Sequence, residues 1–263
     1  MENFSEKVIL AGHRGERTVV PENTLAAFRY ALSCGVDAIE TDFHLSKDGE
    51  LMVIHDHTLE RTTDGHGKVC DQTFEQLRSL SAGSWYSDAF AEERIPTADE
   101  FFRLTAETGI LYNLELKVYP ADEGEQRAYE AVDKLVAVLE RYHIADERVM
   151  MASWSLAVLA YVRKTYGRRF LLQGFYPLAN FKDGAGIDAF SCMDYACLFP
   201  LGGSGHLCPP SDYEALKQHG VVPCNHIPAV YTDYEQALKC GSRMFTVDDI
   251  KTSECLLRAF GAR

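Results

Sequence analysis

The sequence predicts an α/β chain folded as a TIM (β/α)8 barrel with a small insertion after the strand-two hairpin. Three observations carry this. Eight short apolar, β-branched runs recur along the chain, most of them separated by segments of helical spacing, which is the pattern of parallel βαβ units. The length of 263 residues suits one barrel domain over residues 1–263. Two apolar runs, however, flank only "SKDG"; a parallel crossover needs a dozen or more residues, so this pair must be a hairpin. A doubly wound open sheet is disfavoured, because no Gly-x-Gly-x-x-Gly loop follows the first strand.

In order, the eight runs are "KVILAGH", "VDAIETD", "ILYNLELK", "RVMMASW", "RFLLQGF", "DAFSCMDY", "VVPCN" and "RMFTVD". Helical spacing marks "NTLAAFRYALSCG" and "EQRAYEAVDKLVAVLERY". The second strand continues as "FHLSKDGELMVIHD", so it rises past the barrel rim, turns at Asp48-Gly49, and returns to deliver His55 near its own starting level. From about 57 to 94 the chain is rich in Thr, Gly, Ser and Asp and poor in periodic segments. That stretch reads as an insertion capping the barrel, after which "TADEFFRLTAETG" resumes the helical pattern.

Composition narrows the function. The net charge of −13 excludes a broad nucleic-acid surface, which needs clustered Lys and Arg. No apolar run is long enough to span a membrane and "MENFSEKVIL" lacks a signal-peptide core, so no membrane insertion and a cytoplasmic location are expected. The eight cysteines are scattered without metal-finger or disulfide spacing, as expected of reduced packing residues. Oligomeric state is not legible.

In a barrel of this type function gathers at the carboxyl ends of strands. His13 and Arg14 end the first strand, Glu40 and Asp42 the second, and Glu115 and Lys117 the third; i, i+2 spacing puts each of the latter pairs on one face. Three carboxylates on neighbouring strands form a hard-oxygen site suited to Mg²⁺ or Ca²⁺ and not to zinc. Arg14 and Lys117 supply charge for an anion that such a metal would also hold, which points to phosphate. His13 and His55 can move protons near neutral pH. Asn23 reads as a helix N-cap, and Glu22 as a carboxylate that orients His13 or Arg14. The other histidines, His44, His57, His66 and His226, are structural or surface residues by default.

"HRGERTVVPENT", "ETDFHLSKDGELMVIHDHTLERTTDGHG" and "LELK" resemble the signature blocks of glycerophosphodiester phosphodiesterases, continuously over roughly the first half of the chain. The resemblance implies a TIM barrel with an insertion after the strand-two hairpin. It implies metal ligation by Glu40, Asp42 and Glu115, an acid–base pair in His13 and His55, phosphate contacts from Arg14 and Lys117, and a supporting site role for Glu22. The expected activity is hydrolysis of a small-molecule glycerophosphodiester to glycerol 3-phosphate and an alcohol. A lipid phosphodiesterase on the same barrel, or a phosphate- and metal-binding barrel without turnover, is the alternative. The chain departs from the family on strand seven, where an aromatic is usual and "VVPCNHIPAVY" stands instead. Asn225 and His226 are the expected replacements if they face inward, with weaker discrimination among alcohol groups as the consequence. Trp85 or Trp154 is the other source of an aromatic wall, although core packing is the expected role of both.

Overall fold

The structure is a computed structural model and describes residues 7–199, 207–228 and 230–263. Among these, nine strands form one sheet: β1 (Ile9–His13), β2 (Ala38–Leu45), β3 (Leu51–Val53), β4 (Leu111–Leu116), β5 (Val149–Ala152), β6 (Leu171–Tyr176), β7 (Tyr195–Leu198), β8 (Val222–His226) and β9 (Met244–Val247). All but β3 run parallel, and pairing of β1 with both β2 and β9 closes them into an eight-stranded barrel. β3 lies antiparallel to β2, with Phe43, His44 and Leu45 opposite Val53, Met52 and Leu51. The return arm therefore brings Ile54 level with Asp42, whose carbonyl accepts the Ile54 N–H, and His55 follows at the rim.

Ten helices are described: α1 (Leu25–Ser33), α2 (Phe74–Ser79), α3 (Ala98–Thr105), α4 (Pro120–Glu123), α5 (Glu125–Arg141), α6 (Leu156–Tyr166), α7 (Ala189–Cys192), α8 (Pro210–Gln218), α9 (Tyr231–Lys239) and α10 (Ile250–Ala259). The strand expected over "DAFSCMDY" begins only at Tyr195. Its first half is the turn of helix α7, because the Asp188 side chain accepts the Phe190 N–H and caps it. Pro223 does not interrupt β8, which is a regular parallel member of the sheet, and the Pro223 carbonyl accepts the Arg243 N–H. No described helix is long and apolar enough to cross a membrane.

Alternation along each strand divides the core in two. Ile9, Ala11, Ala38, Leu111, Met150, Cys197, Cys224 and Met244 fill the barrel, while Leu10, Phe28, Ile39, Phe43, Leu114, Leu172 and Phe245 pack outward beneath the helices. Between β3 and α3, a third cluster of Met52, Ile54, Leu59, Val69, Leu77 and Ile95 lies under α2 and its flanking turns. That stretch thus carries an apolar footing of its own, which anchors the arm bearing His55.

The turn after β1 fixes the first site residues. Arg14 is left-handed at φ 57° and Gly15 follows at φ 85°. A Cβ on Gly15 would lie 2.7 Å from the Ala27 carbonyl carbon and 2.9 Å from its oxygen, so glycine is required both for the dihedral and for the close approach to α1. Gly35 has φ 75° but nothing within 4 Å. Gly15→Ala is expected to cost more than the ~1–2 kcal/mol of a left-handed alanine, and clearly more than Gly35→Ala. Urea unfolding of the two variants checks this; equal losses would contradict the packing argument.

Candidate active site

Parallel register assembles the rim. His13 pairs with Glu40, and Asp42 with Glu115, so three strands deliver their inward side chains to one level. Ligand oxygens of Glu40, Asp42 and Glu115, all buried, lie within 4.8 Å of one another. Lys117, one residue past β4, contacts both Glu115 and, at 3.2 Å, Asp42. Arg14 reaches Asp42 at 3.4 Å and donates to Glu22 at 2.6 Å, while its backbone N–H meets Glu40 Oε2 at 3.0 Å.

Burial pushes the Glu40 carboxyl well above its usual range, and Asp42 and Glu115 push it further. Burial acts likewise on Asp42, but Lys117, His55 and Arg14 outweigh it and hold that carboxylate low. Burial works against the Lys117 charge, yet Glu115 and Asp42 keep the ammonium charged far above neutrality. With all three ionised, the carboxylates would exceed the two cations by one negative charge, which is why the Glu40 carboxyl is pushed toward its protonated form. Asp42 Oδ1 and Glu115 Oε1 are buried and accept no aligned hydrogen bond, only the ammonium contact. Buried oxygens with unused lone pairs and an excess negative charge are what a hard divalent cation requires. The donor set fits one.

Two histidines flank this group, each held through Nδ1 by an aspartate at 2.6 Å: His13 by Asp248 and His55 by Asp56. Burial lowers the His13 pKa well below that of an ordinary imidazole, and Arg14 and His226 lower it further. Burial also raises the Asp248 carboxyl.

A cavity of about 600 Å³ opens above these residues, lined by His13, Arg14, Glu40, His55, Glu115 and Lys117. One wall is aromatic. Trp154 stacks on Phe175 at 3.7 Å, with Phe199 edge-on at 5.4 Å. Trp154 therefore serves as pocket wall while also packing on the barrel core, whereas Trp85 lies 39% exposed beside Tyr86. His226 faces the cavity as well, 4.4 Å edge-to-face from His13, so it is a residue of the pocket and not of the outer surface. Asn225 points the other way and donates to the buried Tyr213 hydroxyl. Asn23 is not the helix cap: Thr24 accepts the Ala27 N–H, freeing the Asn23 amide to donate to Asp42 at 2.8 Å and accept from Thr41. Glu22 sits behind Arg14, off the cavity wall, ringed by Arg14, Arg61 and Arg17 at 2.6, 2.8 and 3.1 Å.

Residues 13–197 match the glycerophosphoryl diester phosphodiesterase family. The chain belongs to that family. A glycerophosphodiester phosphodiesterase of Caldanaerobacter subterraneus subsp. tengcongensis is 41% identical over 162 residues, 60% of this chain and 63% of that one. A second, from Bacillus altitudinis, is 37% identical over 155 residues, 58% of this chain and 60% of that one. The aligned stretches thus span less than two thirds of either relative. By fold, the barrel superposes on an Oleispira antarctica phosphodiesterase solved with the product sn-glycerol-3-phosphate, at a TM-score of 0.81 and 21% identity, covering 95% of this chain and 96% of that one. An Agrobacterium tumefaciens glycerophosphodiester phosphodiesterase gives 0.71 at 23% identity, covering 96% and 99%.

Glu22 offers a test of the charge network. Burial alone would raise its carboxyl, but Arg61, Arg14 and Arg17 hold it down at about 2, from an ordinary 4.5. Its stabilisation is therefore complete above pH 4.5 and lost as pH falls toward 2; the gap corresponds to about 3 kcal/mol. Glu22→Gln is expected to lose stability of that order at pH 7, with the difference from wild type narrowing from pH 5 to pH 3 in urea unfolding. Equal stability at pH 7 would show that the arginines do not depend on Glu22.

Proposed function

We propose that this barrel is one catalytic unit, a metal-dependent phosphodiesterase that hydrolyses glycerophosphodiesters to glycerol 3-phosphate and an alcohol. The observation carrying the proposal is the pair of aspartate-held histidines on the cavity that also contains the carboxylate group. A binding protein has no use for two oriented proton carriers. The product held by the structurally similar Oleispira antarctica phosphodiesterase supports the same substrate class.

Glu40, Asp42 and Glu115 would hold the cation, Mg²⁺ or Ca²⁺. When bound, it supplies Lewis-acid stabilisation of charge on the phosphoryl oxygens. Arg14 and Lys117 provide fixed positive charge beside the same oxygens, and Glu22 keeps Arg14 in place. Asn23 orients Asp42 from behind. Trp154, Phe175 and Phe199, from the ends of β5, β6 and β7, give the substrate's carbon skeleton an apolar face in place of the aromatic absent from the seventh barrel strand, β8. Weak discrimination among alcohols therefore no longer follows. The eight free cysteines suit a reducing compartment, and we place the enzyme in the cytoplasm.

His13 is neutral near pH 7, because burial and neighbouring cations disfavour its charge, so its unprotonated Nε2 takes the proton of the attacking hydroxyl, the substrate's own glycerol 2-hydroxyl; the cyclic phosphate this forms is then opened by water to glycerol 3-phosphate. Asp248, on Nδ1, fixes that tautomer and steadies the imidazolium that forms. His55, paired with ionised Asp56, donates to the leaving alcohol. The assignment predicts an asymmetry. His13→Ala and His55→Ala each lower kcat for an alkyl glycerophosphodiester by ~10²–10⁴-fold. With a p-nitrophenyl ester, whose leaving group needs no proton, His55→Ala recovers most of its rate and His13→Ala does not. Recovery by His13→Ala alone would exchange the two roles, and near-normal turnover in either variant would remove that residue from the mechanism.

A further inference from the structure

A second group of metal-ligand type lies one step above the rim, apart from the three carboxylates although its His57 lines the same cavity. His44, His57 and Glu123 each offer one ligand atom, and these lie within 4.8 Å of one another. They come from three separate segments. His44 follows Glu40 and Asp42 at i+4 and i+2 on β2, so it continues the same strand face upward. His57 stands two residues beyond His55 on the return arm, and Glu123 ends α4.

The surroundings hold the three in place. His44 is fully buried, and its Nε2 donates to the His55 carbonyl at 3.1 Å, which leaves its other ring nitrogen unprotonated, the form a metal takes. Its ring meets that of His57 edge-to-face at 4.8 Å, and His57 rests against buried Tyr119 at 5.3 Å. Arg127 donates to Glu123 Oε2 at 2.7 Å and to the Leu45 and Ser46 carbonyls, tying the carboxylate to the hairpin. The second oxygen of Glu123 is free of that bond. Such anchoring of ligands by outer partners is the usual frame of a metal site.

We propose that His44, His57 and Glu123 bind a divalent transition ion of the Zn²⁺ class, with water completing the coordination. Two imidazoles and one carboxylate are a borderline donor set that favours Zn²⁺, in contrast to the all-oxygen Glu40, Asp42 and Glu115 group. Tetrahedral Zn²⁺ needs ligand atoms about 3.3 Å apart, and these three already lie within 4.8 Å of one another, so binding requires only a small closing shift. The ion would join β2, the return arm and α4, and so pin the segment that carries His55.

The two sites differ in hardness, so they can be told apart without measuring turnover. Metal-free protein, with Ca²⁺ in excess to occupy the oxygen site, is titrated with Co²⁺ as a visible stand-in for Zn²⁺. One equivalent of Co²⁺ is expected to develop the intense absorption of a four- or five-coordinate ion, to be displaced by Zn²⁺ and not by more Ca²⁺ or Mg²⁺. Zn²⁺ should also raise the thermal midpoint. His57→Ala and Glu123→Gln should each weaken Co²⁺ and Zn²⁺ binding by at least ~10-fold and abolish the thermal shift, with unchanged circular dichroism. Repeating the titration on Glu115→Gln, where the oxygen site is damaged, should leave the Co²⁺ spectrum intact. Absence of a Co²⁺ band in wild type, its loss in Glu115→Gln, or wild-type affinity in both His57→Ala and Glu123→Gln would overturn the proposal.

Discussion

Everything at the rim of this barrel is organised around an unbalanced cluster of buried charge. Glu40, Asp42 and Glu115 face Arg14 and Lys117, all of them buried at the floor of the cavity. Ions cannot be buried without partners, since desolvation costs several kcal/mol for each, and the two cations leave one carboxylate in excess. The molecule answers in layers. Asn23 and the Arg14 backbone supply hydrogen bonds to Asp42 and Glu40. Glu22 then satisfies Arg14 and is itself held by Arg61 and Arg17. What remains is the Glu40 carboxyl, which ionises fully only when further positive charge arrives at the centre, and that is the condition a bound cation would meet.

The fold earns this arrangement through register and closeness. Parallel pairing places His13 beside Glu40 and Asp42 beside Glu115, and period-2 alternation aims all four inward. Gly15 lets the turn after β1 lie against α1, and the left-handed Arg14 turns its backbone N–H onto Glu40. The hairpin arm, footed on its own apolar cluster, carries a second histidine back to the same level. Precision here comes from backbone pairing, so it does not depend on long flexible side chains finding one another.

Much of this was legible in the sequence because it is local. The Glu-x-Asp and Glu-x-Lys spacings give same-face placement directly, and "SKDG" between apolar runs leaves no alternative to a hairpin. What the sequence hid depends on contacts made across the chain or on a choice of face. Asp248 reaches His13 over a separation of 235 residues, and nothing near either residue announces it. In "VPCNH" either Asn225 or His226 could have faced the pocket; Cys224 packing inside the barrel settles the parity in favour of His226. Asn23 and Thr24 are both good caps, and only the fold shows that Thr24 takes the helix while Asn23 turns to Asp42. Trp154 reads as core from its neighbours in "MMASW", yet at the strand end the same inward face becomes pocket wall. Helix α7 was hidden for a different reason: four residues are too few for a periodicity to show.

The central claim is that the carboxylate cluster is built for a hard divalent cation and is electrostatically incomplete without one. Isothermal titration of metal-free protein with Ca²⁺ and with Mg²⁺, in parallel on wild type and Asp42→Asn, tests it most directly. The account predicts one tight equivalent of at least one of these ions in wild type, with protons released on binding as Glu40 gives up the proton its surroundings favour, and a loss of at least ~10-fold in affinity in Asp42→Asn. Absence of binding in wild type, or undiminished binding in Asp42→Asn, would contradict it.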